Sequence, residues 1–220
     1  MVCFPGMRKQ VTAVKHPEKI CFPELSGKTP EEIFEGLSLF LLRAAAADIL
    51  ESGPALAEVI PQLKPLLGFD QRSPHHAYDL FTHVAYVVEK VPRDLTLRWA
   101  ALLHDIGKIP TFTRDETGRG HFYGHAQAGA RMAAEVLAGL KAPEFLREQV
   151  PVLIEKHMTK LKPEEAEVRQ QVNAMGWNTV NNLLYLQEAD MTSKGVDEPL
   201  TLEQFPQLRI LLNQIGANEL

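Results

Sequence analysis

Six residues in this chain combine metal-ligating chemistry with an apolar helical setting: His83, His104, Asp105, His125, His157 and Asp190. The sharpest signal is the pair His104-Asp105. Arg98, Trp99 and the apolar run to Leu103 read as a buried helix, yet it ends in an imidazole and a carboxylate before Gly107 stops it. A buried carboxylate requires a cation or a full set of donors, and a neutral imidazole is the commonest metal ligand. Taken alone, each of the four histidines is more simply a core or rim residue bonded to backbone. Asp190, at the end of Leu183-Leu184-Tyr185-Leu186-Gln187-Glu188-Ala189-Asp190, reads equally well as a solvated residue on a polar face. It is the group as a whole that points to a metal.

The elements that must position these residues are helical. Thr29-Pro30-Glu31-Glu32 combines a capping residue, an early proline and two acids, and predicts a helix running to about Leu50. Ser52-Gly53-Pro54 opens a second helix, bearing Leu56, Val59, Ile60 and Leu63. A third is expected from about His76 to Glu89, with His83 beside its buried face and Pro92 beyond its end. The stretch from Thr111 to Gly120, Gly-rich at its centre, predicts a small hairpin or lid. Further helices are expected near 124–140, 143–157, 163–175, 178–193 and 201–215. No alternating run supports a larger sheet, and the expected class is all-α. Residues 1–28, punctuated by Pro5, Gly6, Pro17, Pro23 and Gly27, read as an irregular arm, and 29–220 as a single helical domain.

With 220 residues, 45% of them hydrophobic and 23% charged, the composition is that of a globular protein. A net charge of -5 gives no general attraction for a nucleic-acid backbone or an anionic membrane, so RNA is a partner only by special argument. Cys3 and Cys21 match no metal-ligand spacing and fit a reduced chain. Without a membrane-length apolar run or a signal-peptide core, the expected location is the cytoplasm. Oligomeric state is not legible.

The order His83, His104-Asp105, Asp190 resembles the signature of the HD-domain metal-dependent phosphohydrolases. The wider match is sharper. Ser73-Pro74-His75-His76-Ala77-Tyr78-Asp79-Leu80-Phe81-Thr82-His83, Leu103-His104-Asp105-Ile106-Gly107-Lys108 and Gly120-His121-Phe122-Tyr123-Gly124-His125 resemble the HD portion of bacterial CCA-adding tRNA nucleotidyltransferases. This resemblance covers about Leu37 to Gly195 and implies a multi-helix HD-domain bundle. It further implies that His83, His104, Asp105 and Asp190 hold one metal, and that Asp105, His125 and His157 hold a second in two-metal members. The nucleotidyltransferase turn and its Asp-x-Asp pair have no match here: Asp48 and Asp70 are the only aspartates of the first 70 residues, and polymerisation is not expected. The Tyr-Pro motif of cyclic-dinucleotide phosphodiesterases is also absent, which disfavours that substrate.

Such a mixed His and carboxylate set suits Mn, Fe, Zn, Co or Ni, as one or two ions, better than Mg. The implied reaction is hydrolysis of nucleotide phosphomonoesters or phosphodiesters, 2′,3′-cyclic phosphates among them, by a metal-acidified water. Asp105 is the natural bridge between two ions. Lys108 could place its ammonium on a phosphate oxygen, or simply favour a helix C-terminus. His76, two turns before His83, and Arg114 in the loop are the other candidate substrate contacts. Arg119 is a weaker one, and His75 and His121 read as loop residues with local hydrogen bonds. Trp99 and Trp177 read as core. The competing reading is a non-catalytic module, derived from a tRNA nucleotidyltransferase, that binds tRNA or a partner chain.

Overall fold

The computed structural model describes residues 20–75, 77–195 and 202–217. Among them are eleven α-helices: α1 Pro30–Arg43, α2 Ala46–Glu51, α3 Gly53–Val59, α4 Leu80–Lys90, α5 Leu95–Leu103, α6 Lys108–Thr111, α7 His125–Gly139, α8 Glu144–Lys156, α9 Glu165–Met175, α10 Trp177–Thr192 and α11 Gln204–Ala217. A 3₁₀ helix spans Pro61–Leu66, and the only strands among the described residues are β1 Thr113–Arg114 and β2 Gly120–His121, paired antiparallel. The all-α class holds.

α5 forms the axis. From Thr96 to Leu103 every residue is buried, and the helix packs against α1, α4, α8 and α10. Trp99 stacks on Phe34 and donates its indole N–H to Ser38 Oγ at 3.0 Å, so its polar edge is satisfied inside the core. Trp177, half-buried, donates to the Leu212 carbonyl at 2.9 Å and ties α10 to α11. α7 and α8 form the most extensive helix pair. Ile20, Phe22 and Leu25, from the expected arm, pack on this core, with Phe22 edge-on to Phe40.

Several boundaries differ from expectation for local reasons. The predicted helix to Leu50 breaks after Arg43: Ala44 is extended, and the Asp48 carboxylate accepts from the Ala45 N–H to start α2 afresh. The next helix ends at Val59 and continues as 3₁₀ turns around Pro61 and Pro65. The helix expected from His76 starts at Leu80, where the Asp79 carboxylate caps the Phe81 and Thr82 N–H groups. His76 itself lies outside the described residues. His104 and Asp105 sit in the turn following α5 rather than on the helix, and Gly107 does not end the helical run, because α6 begins at Lys108. Gly107 instead permits close approach: a Cβ there would lie 2.1 Å from the His125 carbonyl oxygen and 2.4 Å from Gly129 N.

Candidate metal centre

Each of the six expected ligands comes from a helix or its end. His83 lies on α4, His104 and Asp105 follow α5, and His125 is the first residue of α7. His157 caps the C-terminus of α8, and Asp190 is in the last turn of α10. All six are buried. Ligand atoms of His83, His104 and Asp190 lie within 4.8 Å of one another, and so do those of Asp105, His125 and His157.

Asp105 joins the two groups. Its Oδ2 is 3.1 Å from His104 Nε2 and 3.5 Å from His83 Nε2, while its Oδ1 is 3.7 Å from His125 Nε2 and 4.0 Å from His157 Nε2. Asp190 Oδ1 lies 3.1 Å from His83 Nε2.

The four imidazoles share one orientation. Their Nδ1 atoms face backbone carbonyls: His83 that of Ser193 at 3.2 Å, His104 that of Ala101 at 2.8 Å, His125 that of Phe122 at 2.8 Å and His157 that of Ile154 at 2.6 Å. A carbonyl only accepts, so each neutral ring carries its proton on Nδ1 and turns the Nε2 lone pair inward. The His125 and His157 Nε2 atoms are then 3.2 Å apart with both lone pairs facing the same space, an arrangement that a shared cation relieves. His104 Nε2, fully buried, lies off the direction of a hydrogen bond to Asp105 and has no hydrogen-bond partner among the described residues. The residues present therefore fit a His and carboxylate metal site.

Electrostatics agree with that chemistry. Burial would raise the Asp105 carboxyl, but His104 and Lys108 together outweigh it and hold the group well below the ordinary carboxylate range. Asp190 is likewise held low, the effect of burial being overcome by the neighbouring His83 and His104 in their charged forms and by Lys194. Burial, reinforced by the charge of His104, lowers His157 to about 4, whereas for His104 the opposing burial is outweighed by Asp105 and the pKa rises. His157 is thus neutral and ready to ligate at pH 7, while at His104 a metal competes with the proton that Asp105 favours. Metal uptake is expected to release protons, and affinity to weaken as the pH falls and protons compete for the imidazoles. Metal titration in weakly buffered solution measures both, and uptake without proton release, at constant affinity, would contradict the assignment.

A cavity of about 250 Å³ opens onto Asp105, His125, His157 and Asp190, with Lys108 and Lys194 on its wall and Ser73, His121, Tyr123 and Met158 also lining it. The Lys108 ammonium is 2.8 Å from Asp105 Oδ2 and donates to Gln71 Oε1 at 2.8 Å, so the carboxylate and the buried amide fix its position. Gln71 is held in turn beside the hairpin, where the Gly120 N–H bonds the Arg72 carbonyl at 2.9 Å. The expected hairpin is present, though short. Arg114 is exposed on β1, rests over the Phe112 ring and is not among the cavity-lining residues. Arg119 meets His75 at 3.0 Å, and His121 pairs with Asp115 at 2.8 Å, so both loop histidines have local partners. Unlike His75, His121 also lines the cavity.

Three positioning groups have no signal in the sequence. Lys194, just past α10, brings a second cation to the cavity and helps to hold Asp190 ionised. Gln71 steadies Lys108. Gln187 donates its amide to the carbonyls of His157 and Thr159 at 3.0 and 2.6 Å, anchoring from α10 the turn that carries His157.

Comparison with known proteins agrees with this architecture. Residues 76–195 match the HD domain family. The chain is 33% identical over 178 residues to the CC-adding tRNA nucleotidyltransferase of Thermus thermophilus, covering 76% of this chain and 40% of that protein. It is 36% identical over 130 residues to the A-adding tRNA nucleotidyltransferase of Deinococcus radiodurans, covering 56% of this chain and 30% of that protein. With the multifunctional CCA protein of an Azoarcus species the identity is 33% over 141 residues, covering 61% and 34%. The chain thus spans well under half the length of these curated relatives. The matched segment runs through all six converging residues, from His83 to Asp190, and is more than half of the sequence, so the chain belongs to the HD-domain family.

Proposed function

We propose that this protein is a metal-dependent phosphohydrolase acting on phosphomonoesters or phosphodiesters of nucleotides, 2′,3′-cyclic phosphates included. The observation that carries this reading is the convergence of four inward Nε2 atoms and two buried carboxylates on Asp105, beside a cavity that His125, His157, Asp105 and Asp190 line together with two lysines. His83, His104, Asp105 and Asp190 would hold one ion, and Asp105, His125 and His157 a second. Mn, Fe, Zn, Co and Ni suit such donors. When bound, the ion supplies Lewis acidity and an acidified water able to attack phosphorus.

The chain's own residues do the rest. The backbone carbonyls behind each imidazole fix its direction, and the buried setting of Asp105 strengthens every charge contact around it. Lys108 and Lys194 would attract the phosphate and stabilise negative charge that grows in the transition state. Lys108 has a second task, neutralising Asp105, which limits how far it can turn toward substrate.

Lys108→Ala is expected to lower turnover by about 10²–10³, the usual cost of removing one such charge contact, while metal remains bound. The assay is turnover of an aryl phosphate and a 2′,3′-cyclic nucleotide by protein loaded with each of the five metals, alongside metal content. Loss of metal from this variant would reassign Lys108 to the metal centre. The similarity to tRNA nucleotidyltransferases favours one other reading, a tRNA-binding module without catalysis. A mobility shift with tRNA, together with no turnover by metal-loaded protein, would establish it.

A further inference from the structure

A second hollow, of about 360 Å³, adjoins the metal cavity and shares with it a wall formed by Phe122, Tyr123, His125 and Met158. We infer that this hollow seats a nucleobase, so that a single nucleotide lies with its phosphate toward Lys108 and Lys194 and its ring against Tyr123. The inference rests on the reading of the inner cavity as a phosphate-ester site.

Two large apolar side chains stand exposed on the shared wall, Tyr123 at 79% and Met158 at 57%. Neither is on a loose segment. Gly124, in the left-handed conformation at φ 77°, turns the chain into α7 immediately after Tyr123, and the Tyr123 ring stacks on His121 at 5.4 Å with 6° between planes. Gln187 bonds the carbonyls on either side of Met158. The chain therefore fixes an aromatic face and a polarisable thioether toward water beside a concave space, which is the arrangement that a flat heteroaromatic ring would cover. Stacking on an aromatic side chain is open to every base, because each has a π-face. Gln127, Glu155 and Thr159 border the same hollow and offer donors and acceptors to a ring edge. Its volume is in the range of small-molecule sites, and its continuity with the metal cavity suits one ligand carrying both a phosphate and a base.

The test compares binding of AMP, GMP, CMP, UMP and ribose 5-phosphate to the metal-free full chain by calorimetry, with Tyr123→Ala and Tyr123→Phe alongside. At least one nucleotide is expected to bind wild type about tenfold or more tighter than ribose 5-phosphate. That preference should collapse in Tyr123→Ala and survive in Tyr123→Phe, which keeps the stacking face. Equal binding of ribose 5-phosphate and all four nucleotides, no binding of any of them, or a preference unchanged in Tyr123→Ala would overturn the inference. Metal content separates this from the broader reading: a chain that loads metal and cleaves phosphate esters without any base preference loses only the nucleobase seat. A chain that prefers nucleotides yet takes up no metal loses only the hydrolase.

Discussion

Asp105→Ala is expected to strip metal from the protein and to lower phosphate-ester turnover by on the order of 10³ or more, as loss of the one carboxylate that faces both ligand groups should. The same change leaves the Lys108 ammonium buried without its carboxylate partner. Removing one member of a buried pair costs about 3 kcal/mol, which for a chain of this size lowers Tm by roughly 6–12 °C. The helical circular dichroism at 20 °C should persist, because the core around α5 consists of apolar contacts that Asp105 does not make. Asp105→Asn retains the shape and removes the charge, and should share the loss of metal with a smaller loss of stability. Wild-type turnover in either variant would remove Asp105 from the chemistry.

Gly107→Ala is the second large effect, and it is steric. The added Cβ would meet the His125 carbonyl oxygen at 2.1 Å, Gly129 N at 2.4 Å and Gly129 Cα at 2.9 Å. These are backbone atoms that cannot swing aside, so α7 must move as a body, taking His125 away from Asp105. The expected cost is about 3 kcal/mol, again roughly 6–12 °C in Tm. Metal bound by Asp105, His125 and His157 should weaken, while the His83, His104 and Asp190 group retains its ion. Gly139→Ala, where a Cβ meets nothing within 4 Å, serves as the control and should leave both Tm and metal content near wild type. Equal behaviour of the two variants would contradict this account of the turn after α5.

How much of this was legible depends on what each residue costs. His83, His104, Asp105, His125, His157 and Asp190 stand out in the sequence because a titratable group in an apolar setting demands compensation, and the structure gathers all six. Their helices were visible from apolar periodicity and caps. Their ends were less so: the break at Ala44 depends on a capping contact from Asp48 within a run of alanines that would otherwise favour helix, and the start of α4 on Asp79. Lys194, Gln71, Gln187 and Tyr123 carry no periodic or compositional mark, since a lysine after a helix or a tyrosine before a glycine is ordinary, and only tertiary placement brings them to the cavity. Arg114 shows the reverse, a cation in a Gly-rich loop that suggested phosphate but rests on Phe112.

We read the buried His and Asp cluster as a transition-metal centre. Its most direct test is elemental analysis of the full chain, as purified and after metal removal and reloading with Mn, Fe, Zn, Co and Ni in turn. The account predicts one or two equivalents of at least one of these ions per chain, retained through gel filtration by the wild type and lost from Asp105→Ala. Absence of any stoichiometric metal in the purified protein, together with no uptake of any of the five, would contradict it.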